Sequence, residues 1–377
     1  MTDVPLGAEP QARRSGLGWL TRLALSPRFH AISQRIPGLR HISRHEGQAL
    51  FDTLSGFVQS QVLMILVELD VLALLRKGPM RIPALAHAVG LGPDRTVILM
   101  QAAAALKLVR RGRADDWHLA PRGAAFLTVP GLAAMVRHHR VLYRDLADPT
   151  AFLRGETTPE LAGFWPYVFG AGAAADPQTA ATYSQLMADS QGLVAADTLA
   201  VVDLSGVRNL MDVGGGTGAF LTAVGQAVPG PALTLFDLPA VVPGATARFA
   251  EAGLTARAQI IAGSFRDHPL PHGADAISLI RVLYDHADST VAALLAAVHA
   301  ALPVGGRLVI SEPMSGGQTP DRATDVYFAF YTLAMGTGRT RSATEIANFV
   351  KKAGFADICR HSSQRSYVTQ VVTATKV

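Results

Sequence analysis

Asp212 closes the apolar run Asn209-Leu-Met-Asp-Val, and the chain then passes Gly214, Gly216 and Gly218. Glycines at this spacing let a ligand approach the backbone where a strand turns into a helix, because a side chain there would block it. The pattern is Gly-x-Gly-x-Gly, not the Gly-x-Gly-x-x-Gly of a dinucleotide fold. A carboxylate just before the glycines adds negative charge where a pyrophosphate would sit, and suits a cationic or zwitterionic ligand. A bare structural turn is the plain alternative, and further strand ends weigh against it. Asp237 ends Ala232-Leu-Thr-Leu-Phe-Asp, about 20 residues past the glycines, where a carboxylate accepts hydrogen bonds from both ribose hydroxyls. Ser264 and Phe265 follow a third apolar run from Ala258, in the position that meets an adenine. Arg281, Tyr284, Asp285 and His286 follow a fourth from Ala274, and Glu312 ends a fifth from Gly306.

Strands must hold these ends in register. Helical patterns lie between them, such as Thr290 to Leu302, which Pro303 and Gly305 stop. Alternating strands and helices predict a parallel sheet with ligands at the carboxyl ends of its strands. Two further strand-like runs, around Cys359 and from Tyr367, have no helix between them. A terminal hairpin weighs against a dehydrogenase.

At 377 residues the chain can hold two domains and a sizeable core. One cysteine, Cys359, excludes internal disulfides and fits a reducing, cytoplasmic compartment. No Cys/His cluster has zinc spacing, no signal-peptide pattern opens the chain, and no window approaches an uninterrupted membrane span. The net charge of +5 is uneven. Arg13, Arg14, Arg22, Arg28, Arg35, Arg40 and Arg44 interleave with Leu17, Trp19, Leu20, Leu23, Leu25, Phe29 and Ile32. Such an arm offers a basic amphipathic surface for an inner or photosynthetic membrane, or else covers a dimer partner.

The next region is helical. Leu50 to Leu75 is apolar on too many sides for an exposed helix, which predicts packing against a partner chain. Ile82 to Leu91 and Pro93 to Leu108 read as helix, turn, helix, and Val109 to Leu119 as a two-stranded wing. A winged helix suggests DNA binding. Its second helix, however, carries only Arg95 and Lys107 as basic side chains, so dimerisation and lid duty fit better than nucleic acid.

A winged-helix domain ahead of this sheet resembles the plant-type small-molecule O-methyltransferases, which use S-adenosylmethionine (SAM) and release S-adenosylhomocysteine. The resemblance covers about residues 48 to 375 and includes Tyr183-Ser-Gln-Leu-Met187, Phe236-Asp-Leu-Pro and Ala353-Gly-Phe355. The segments Gly56-Phe-Val-Gln-Ser-Gln-Val, Arg281-Val-Leu-Tyr-Asp-His, Glu312-Pro-Met-Ser-Gly-Gly and Tyr327 to Gly338 are similar to the branch that methylates acyclic carotenoid alcohols in purple bacteria. The resemblance implies an α/β, Rossmann-like class I methyltransferase sheet with an N-terminal helical winged-helix dimerisation domain. It implies a basic arm over 1–47, a dimerisation domain over 48–150, a helical substrate-lining segment over 151–205 and a SAM-binding domain over 206–377. Asp212, Gly214, Gly216, Asp237, Leu238, Ser264, Phe265 and Arg281 are expected to hold the cofactor. Ser264 stands where the family has an aspartate and offers adenine a hydrogen bond without charge. Tyr183, Met187, Tyr327 and Tyr331 are expected to line the substrate cavity, and no metal is expected.

The departures from the family bear on mechanism. Its phenol-methylating members carry histidine as general base where this chain has Tyr284, and their second orienting glutamate is replaced by Thr340. Glu312 matches the surviving acid. A neutral tyrosine, with a pKa of about 10, is a poor base at neutral pH. An aliphatic alcohol, which no side chain ionises productively, fits such a site, with transfer resting on alignment and late proton loss. His286 is either a fallback base, a packing residue or a partner of Asp285. Phe164, Trp165, Tyr167, Phe169, Met187, Tyr327, Phe328, Phe330, Tyr331 and Met335 suit an elongated apolar ligand, and equally an ordinary core. The expected reaction is O-methylation of an acyclic carotenoid's tertiary hydroxyl. The alternatives are a related methyltransferase acting on a polyketide, phenol or tetrapyrrole, including on carbon, or a non-catalytic SAM- or DNA-binding regulator.

Overall fold

The structure, a computed structural model, describes residues 18–26, 29, 36–164 and 177–377, the last group with backbone alone up to 186. The chain divides into two units, Met1–Ile65 and Leu66–Val377. In the first, a short helix at Trp19–Ala24 precedes the long helix that begins at Pro37 and ends at Glu68. Leu50, Phe51, Leu54 and Phe57 are all exposed on that helix, and the 50, 54, 57 spacing sets Leu50, Leu54 and Phe57 on one face. By length and composition the helix could cross a membrane, contrary to the expectation that no stretch would. An apolar face made for another protein surface passes the same test.

In the second unit, β1 (Met80–Arg81), β2 (Val109–Arg111) and β3 (Asp116–Leu119) pair in the order β1-β3-β2 beside helices at Ile82–Val89 and Pro93–Ala105. This is the expected helix, turn, helix and wing. Each helix opens with proline in its first turn, where no N–H is needed.

The large sheet has seven strands in the order β6-β5-β4-β7-β8-β10-β9. These are β4 (Asn209–Val213), β5 (Ala232–Asp237), β6 (Ala258–Ala262), β7 (Ala276–Ile280), β8 (Arg307–Glu312), β9 (Phe355–His361) and β10 (Gln370–Lys376). The first five are parallel, and β10 runs antiparallel between β8 and β9. Helices cover both faces, so the central strands are buried on both sides rather than alternating between buried and exposed. Met211, Val213, Ile277, Leu279 and Ile310 enter one core, while Leu210, Leu233, Leu235, Ile280 and Val309 enter the other. Strand order reverses beside β4, between β5 and β7. That crevice is where an open sheet binds its ligand.

Candidate active site

A cavity of about 1050 Å³, its mouth included, opens at that reversal. Gly214 and Gly216 line it with positive φ, +71° and +61°. A Cβ on Gly214 would come within 2.9 Å of Val282 Cγ2, so a side chain is excluded by both strain and space. Asp237 accepts from the N–H groups of Gly216 and Leu238, each at 2.6 Å. Burial nevertheless raises its pKa to about 6, with those two hydrogen bonds pulling the other way. A carboxylate held this way faces the cavity with lone pairs still able to accept from a diol. Leu238, Ser264 and Phe265 line the same space. Ser264 is fixed in turn: its N–H donates to His268 Nδ1 and its hydroxyl oxygen accepts from the Arg266 N–H, both at 3.2 Å.

Asp212 lies elsewhere. It is fully buried under the glycine loop and is absent from the cavity wall. Its Oδ1 accepts from Ser278 Oγ at 2.6 Å, and its Oδ2 lies where a Cβ on Gly215 would go. Burial raises its pKa to about 7, Ser278 opposing and Asp237 adding. The acid before the glycines therefore supports the turn from below. The physical reason is the strand pleat, which sends successive side chains to opposite faces.

Arg281 follows β7 in a left-handed conformation, φ +59°, unusual for a residue with a side chain. That turn sends its guanidinium toward the helix at Pro177–Leu199, where it donates to Ser190 Oγ at 2.8 Å and Met187 Sδ at 3.0 Å. It also reaches the Tyr284 hydroxyl at 3.5 Å. Tyr284, Asp285, His286 and Met187 complete the cavity wall. Burial pushes the Tyr284 phenol further above its ordinary value, which rules it out as a base near neutrality. His286 Nδ1 lies 3.1 Å from an Arg266 guanidinium nitrogen, and its ring meets Phe265 edge-on. Burial, then Arg266 and Arg341, lower its pKa to about 3. It is a neutral, weakly basic ring packed into the wall.

Glu312 is completely buried and does not reach the cavity. Its Oε2 accepts from the Tyr284 N–H at 3.2 Å, and burial raises its pKa to about 7. Glu312 acts on the site by holding the backbone of Tyr284. Tyr183 has its backbone in the Pro177–Leu199 helix, its side chain lying outside the described residues, as do Trp165, Tyr167 and Phe169. Tyr327 and Tyr331 sit away from the cavity wall, bonded to His139 and His138.

Sequence reasoning missed Arg341, which stands beside the lost glutamate position. It is fully buried and donates to the carbonyls of Leu283 and His286, both at 2.8 Å, and to Asp288 Oδ1 at 2.6 and 2.8 Å. The Thr337 hydroxyl and the Arg339 N–H hold the carbonyls of Asp285 and Tyr284 at 2.9 Å each. The loop from 337 to 341 thus fixes the 283–286 turn. Only the Thr340-Arg341-Ser342 run marks it in the sequence.

A parallel sheet with a reversed terminal hairpin, a glycine loop and a ribose-height carboxylate define a class I SAM-dependent methyltransferase. The family model for the O-methyltransferase domain matches residues 143–356, and that for the O-methyltransferase dimerisation domain matches residues 51–129. The chain belongs to the O-methyltransferase family. It is 60% identical to a demethylspheroidene O-methyltransferase of Cereibacter sphaeroides, covering 96% of this chain and 97% of that protein. It is 58% identical to one of Rhodobacter capsulatus, with 98% and 92% covered. Human N-acetylserotonin methyltransferase, solved in complex with SAM, superposes with a TM-score of 0.76 at 25% identity, covering 88% of this chain and 97% of that one. The enzyme is therefore a SAM-dependent O-methyltransferase, and the dimerisation-domain match supports a homodimer.

Proposed function

We propose that the enzyme methylates the tertiary hydroxyl of an acyclic carotenoid, of the hydroxyneurosporene or demethylspheroidene type. One observation carries this reading: 60% identity to a demethylspheroidene O-methyltransferase over nearly the whole of both chains. Tyr284 at the base position supports it, since an alcohol needs no ionisation before attack. Residues 206–377 hold the cofactor, through Gly214, Gly216, Asp237, Leu238, Ser264, Phe265 and Arg281, with Asp212 beneath the loop. Bound SAM supplies a methyl group on a positively charged sulfur. The protein's part is to seat the ribose on Asp237, to exclude water with Tyr284, Phe265 and His286, and to align the acceptor oxygen.

Residues 48–150 make the dimer contact, and the exposed Leu50, Leu54 and Phe57 support that. The arm is a peripheral membrane contact in this reading, supported by exposed Trp19 and Leu25 on either side of Arg22. No metal takes part, since Asp212, Asp237, Asp285 and Glu312 serve the ligand or the fold from separate strand ends. Among the described residues no group of three or more His, Cys, Asp or Glu side chains could hold an ion. Incubation with methyl-labelled SAM and a pigment extract in detergent tests the reading, and label in a carotenoid methyl ether is the expected result. Label confined to phenols, polyketides or tetrapyrroles, or in no pigment at all, overturns it.

A further inference from the structure

Asp285 lines the cavity and is only 5% exposed, yet its Oδ1 has no hydrogen-bond partner among the described residues. His286, the partner that the sequence suggests, turns to Arg266 instead. Asp116, Asp212 and Glu312 also keep one unpartnered oxygen each, but their second oxygens meet His118, Ser278 and the Tyr284 N–H, and none of the three lines the cavity. Asp237, the other acid in the wall, is held by two N–H groups. The backbone of Asp285 is fixed all the same. Its carbonyl accepts from the Thr337 hydroxyl at 2.9 Å, and Arg341 grips the carbonyls of Leu283 and His286 on either side. A rigid turn thus presents a carboxyl whose own end is left unmatched.

A buried carboxylate without a partner is costly, so the acid keeps its proton until a cation arrives. Burial holds it well above the usual carboxylate range, with Arg281 opposing and Glu312 adding. Around it Tyr284 and His286 are neutral, Arg266 meets His286, and Arg341 faces backbone carbonyls. The strand order says which part of a bound nucleoside reaches it. Ser264 follows β6, Asp237 ends β5, the glycine loop follows β4 and Asp285 follows β7, in the sheet order β6-β5-β4-β7. With the base toward Ser264 and the ribose on Asp237, the 5′ substituent crosses the glycine loop toward β7. The ends of β5 and β7 are two strand spacings apart, roughly 10 Å. The ribose ring, its 5′ carbon and one ion-pair contact fill that span, and in SAM the atom on the 5′ carbon is a sulfonium.

We propose that the Asp285 carboxyl gives up its proton as SAM binds and stands as the counter-charge to the sulfonium, so that it is the residue that tells SAM from S-adenosylhomocysteine. The inference rests on the reading that Asp237 seats the ribose. A positive charge entering a buried pocket favours the ionised carboxyl, and the ionised carboxyl favours the cation, so the two events drive each other. Once the methyl has left, the sulfur is neutral and the carboxyl again lacks a partner. The product is then held less tightly than the cofactor. Asp237 gives no such preference, because both ligands carry the same ribose.

Calorimetry with SAM and S-adenosylhomocysteine tests this without turnover. Asp285→Asn keeps the shape of the side chain and removes its capacity for charge. SAM affinity should fall about tenfold, the low end for a close charge pair, while S-adenosylhomocysteine affinity stays within about twofold. The wild type gives a second measurement that needs no variant. Titrated at about pH 7 in buffers of different ionisation enthalpy, SAM should release about one proton more than S-adenosylhomocysteine does. In Asp285→Asn that difference should disappear. Equal losses for both ligands, no loss for either, or no extra proton released with SAM overturns the inference and leaves the ribose seating standing. Asp237→Ala tests the seating itself and should weaken both ligands alike. If it weakens neither, the seating fails first, and this inference with it.

Discussion

On the cofactor side of the cavity, Gly214, Gly216 and Asp237 present a bent backbone and one carboxylate, all within two adjacent strands. Facing it, Tyr284 and Met187 are joined through side chains by the Arg281 guanidinium, which reaches both, and Arg281 and Met187 are 94 residues apart in sequence. Backbone recognition needs glycine at fixed places, because only glycine has the space and the φ. Side-chain recognition needs only polarity and volume at the right place, which many sequences can supply. The cofactor side is therefore the half that backbone geometry fixes, and the facing side is the half that side chains shape.

If the halves are separable, damage to one should leave the other's measurement untouched. The largest effect is expected from Arg341→Met. It removes two charge-assisted hydrogen bonds to the Leu283 and His286 carbonyls, each worth about 1.5–3 kcal/mol. Urea unfolding should show a loss of about 3 kcal/mol or more, and kcat should fall as the 283–286 turn loosens. S-adenosylhomocysteine affinity of the folded fraction should hold. An equal fall in affinity would show that the halves form one structure.

Asp237→Ala is the converse. It deletes the acceptor of two backbone N–H groups and of the ribose, so calorimetry should show SAM affinity falling at least about tenfold. At saturating SAM, kcat should change little. A large kcat loss there would break the comparison from the other side.

The same carboxylate gives a pH test. Its pKa in the apo protein is raised to about 6, and only the ionised form accepts from both ribose hydroxyls. Binding of S-adenosylhomocysteine, which brings the same ribose and no sulfonium, is therefore favoured above that pKa and opposed below it, where a proton must first be lost. Affinity should be about tenfold weaker at pH 5 than at pH 8, and the difference should vanish in Asp237→Asn. The stability sign is opposite. Asp212, Asp237 and Glu312 all titrate higher folded than unfolded, so their contribution is greatest below about pH 4 and is lost as pH rises through 6 to 7.

The glycine loop, the order of strand ends, the terminal hairpin and the wing were all legible in the sequence, because each follows from local spacing or periodicity. Asp212 shows where that legibility stops. Its position beside the glycines is evident, but a one-residue change of pleat face separates a ligand contact from a support beneath the loop. Glu312 is similar: its match to the family is plain, and its action through the Tyr284 N–H is not. Arg341 and the His139–Tyr327 pair were not legible at all. Their partners lie 58 and 188 residues away in sequence, and only the packed fold brings them together.

Tyr284→Phe gives the smallest expected effect and the sharpest comparison with Tyr327. Both are buried phenols raised above their ordinary pKa, so neither ionises near neutrality. They differ in what stands behind the oxygen. Behind Tyr284 is the Arg281 guanidinium at 3.5 Å, a donor that cannot take a proton. Behind Tyr327 is an imidazole nitrogen at 2.6 Å, which can. Removing the Tyr284 hydroxyl deletes one weak hydrogen bond and keeps the ring that shapes the wall. Its cost in kcat should be about 1 kcal/mol, or roughly fivefold. A fall of a thousandfold or more, with the fold and SAM affinity intact, would mean that Tyr284 handles the proton despite its cationic neighbour. The acceptor side would then be organised around the strand end that carries Tyr284.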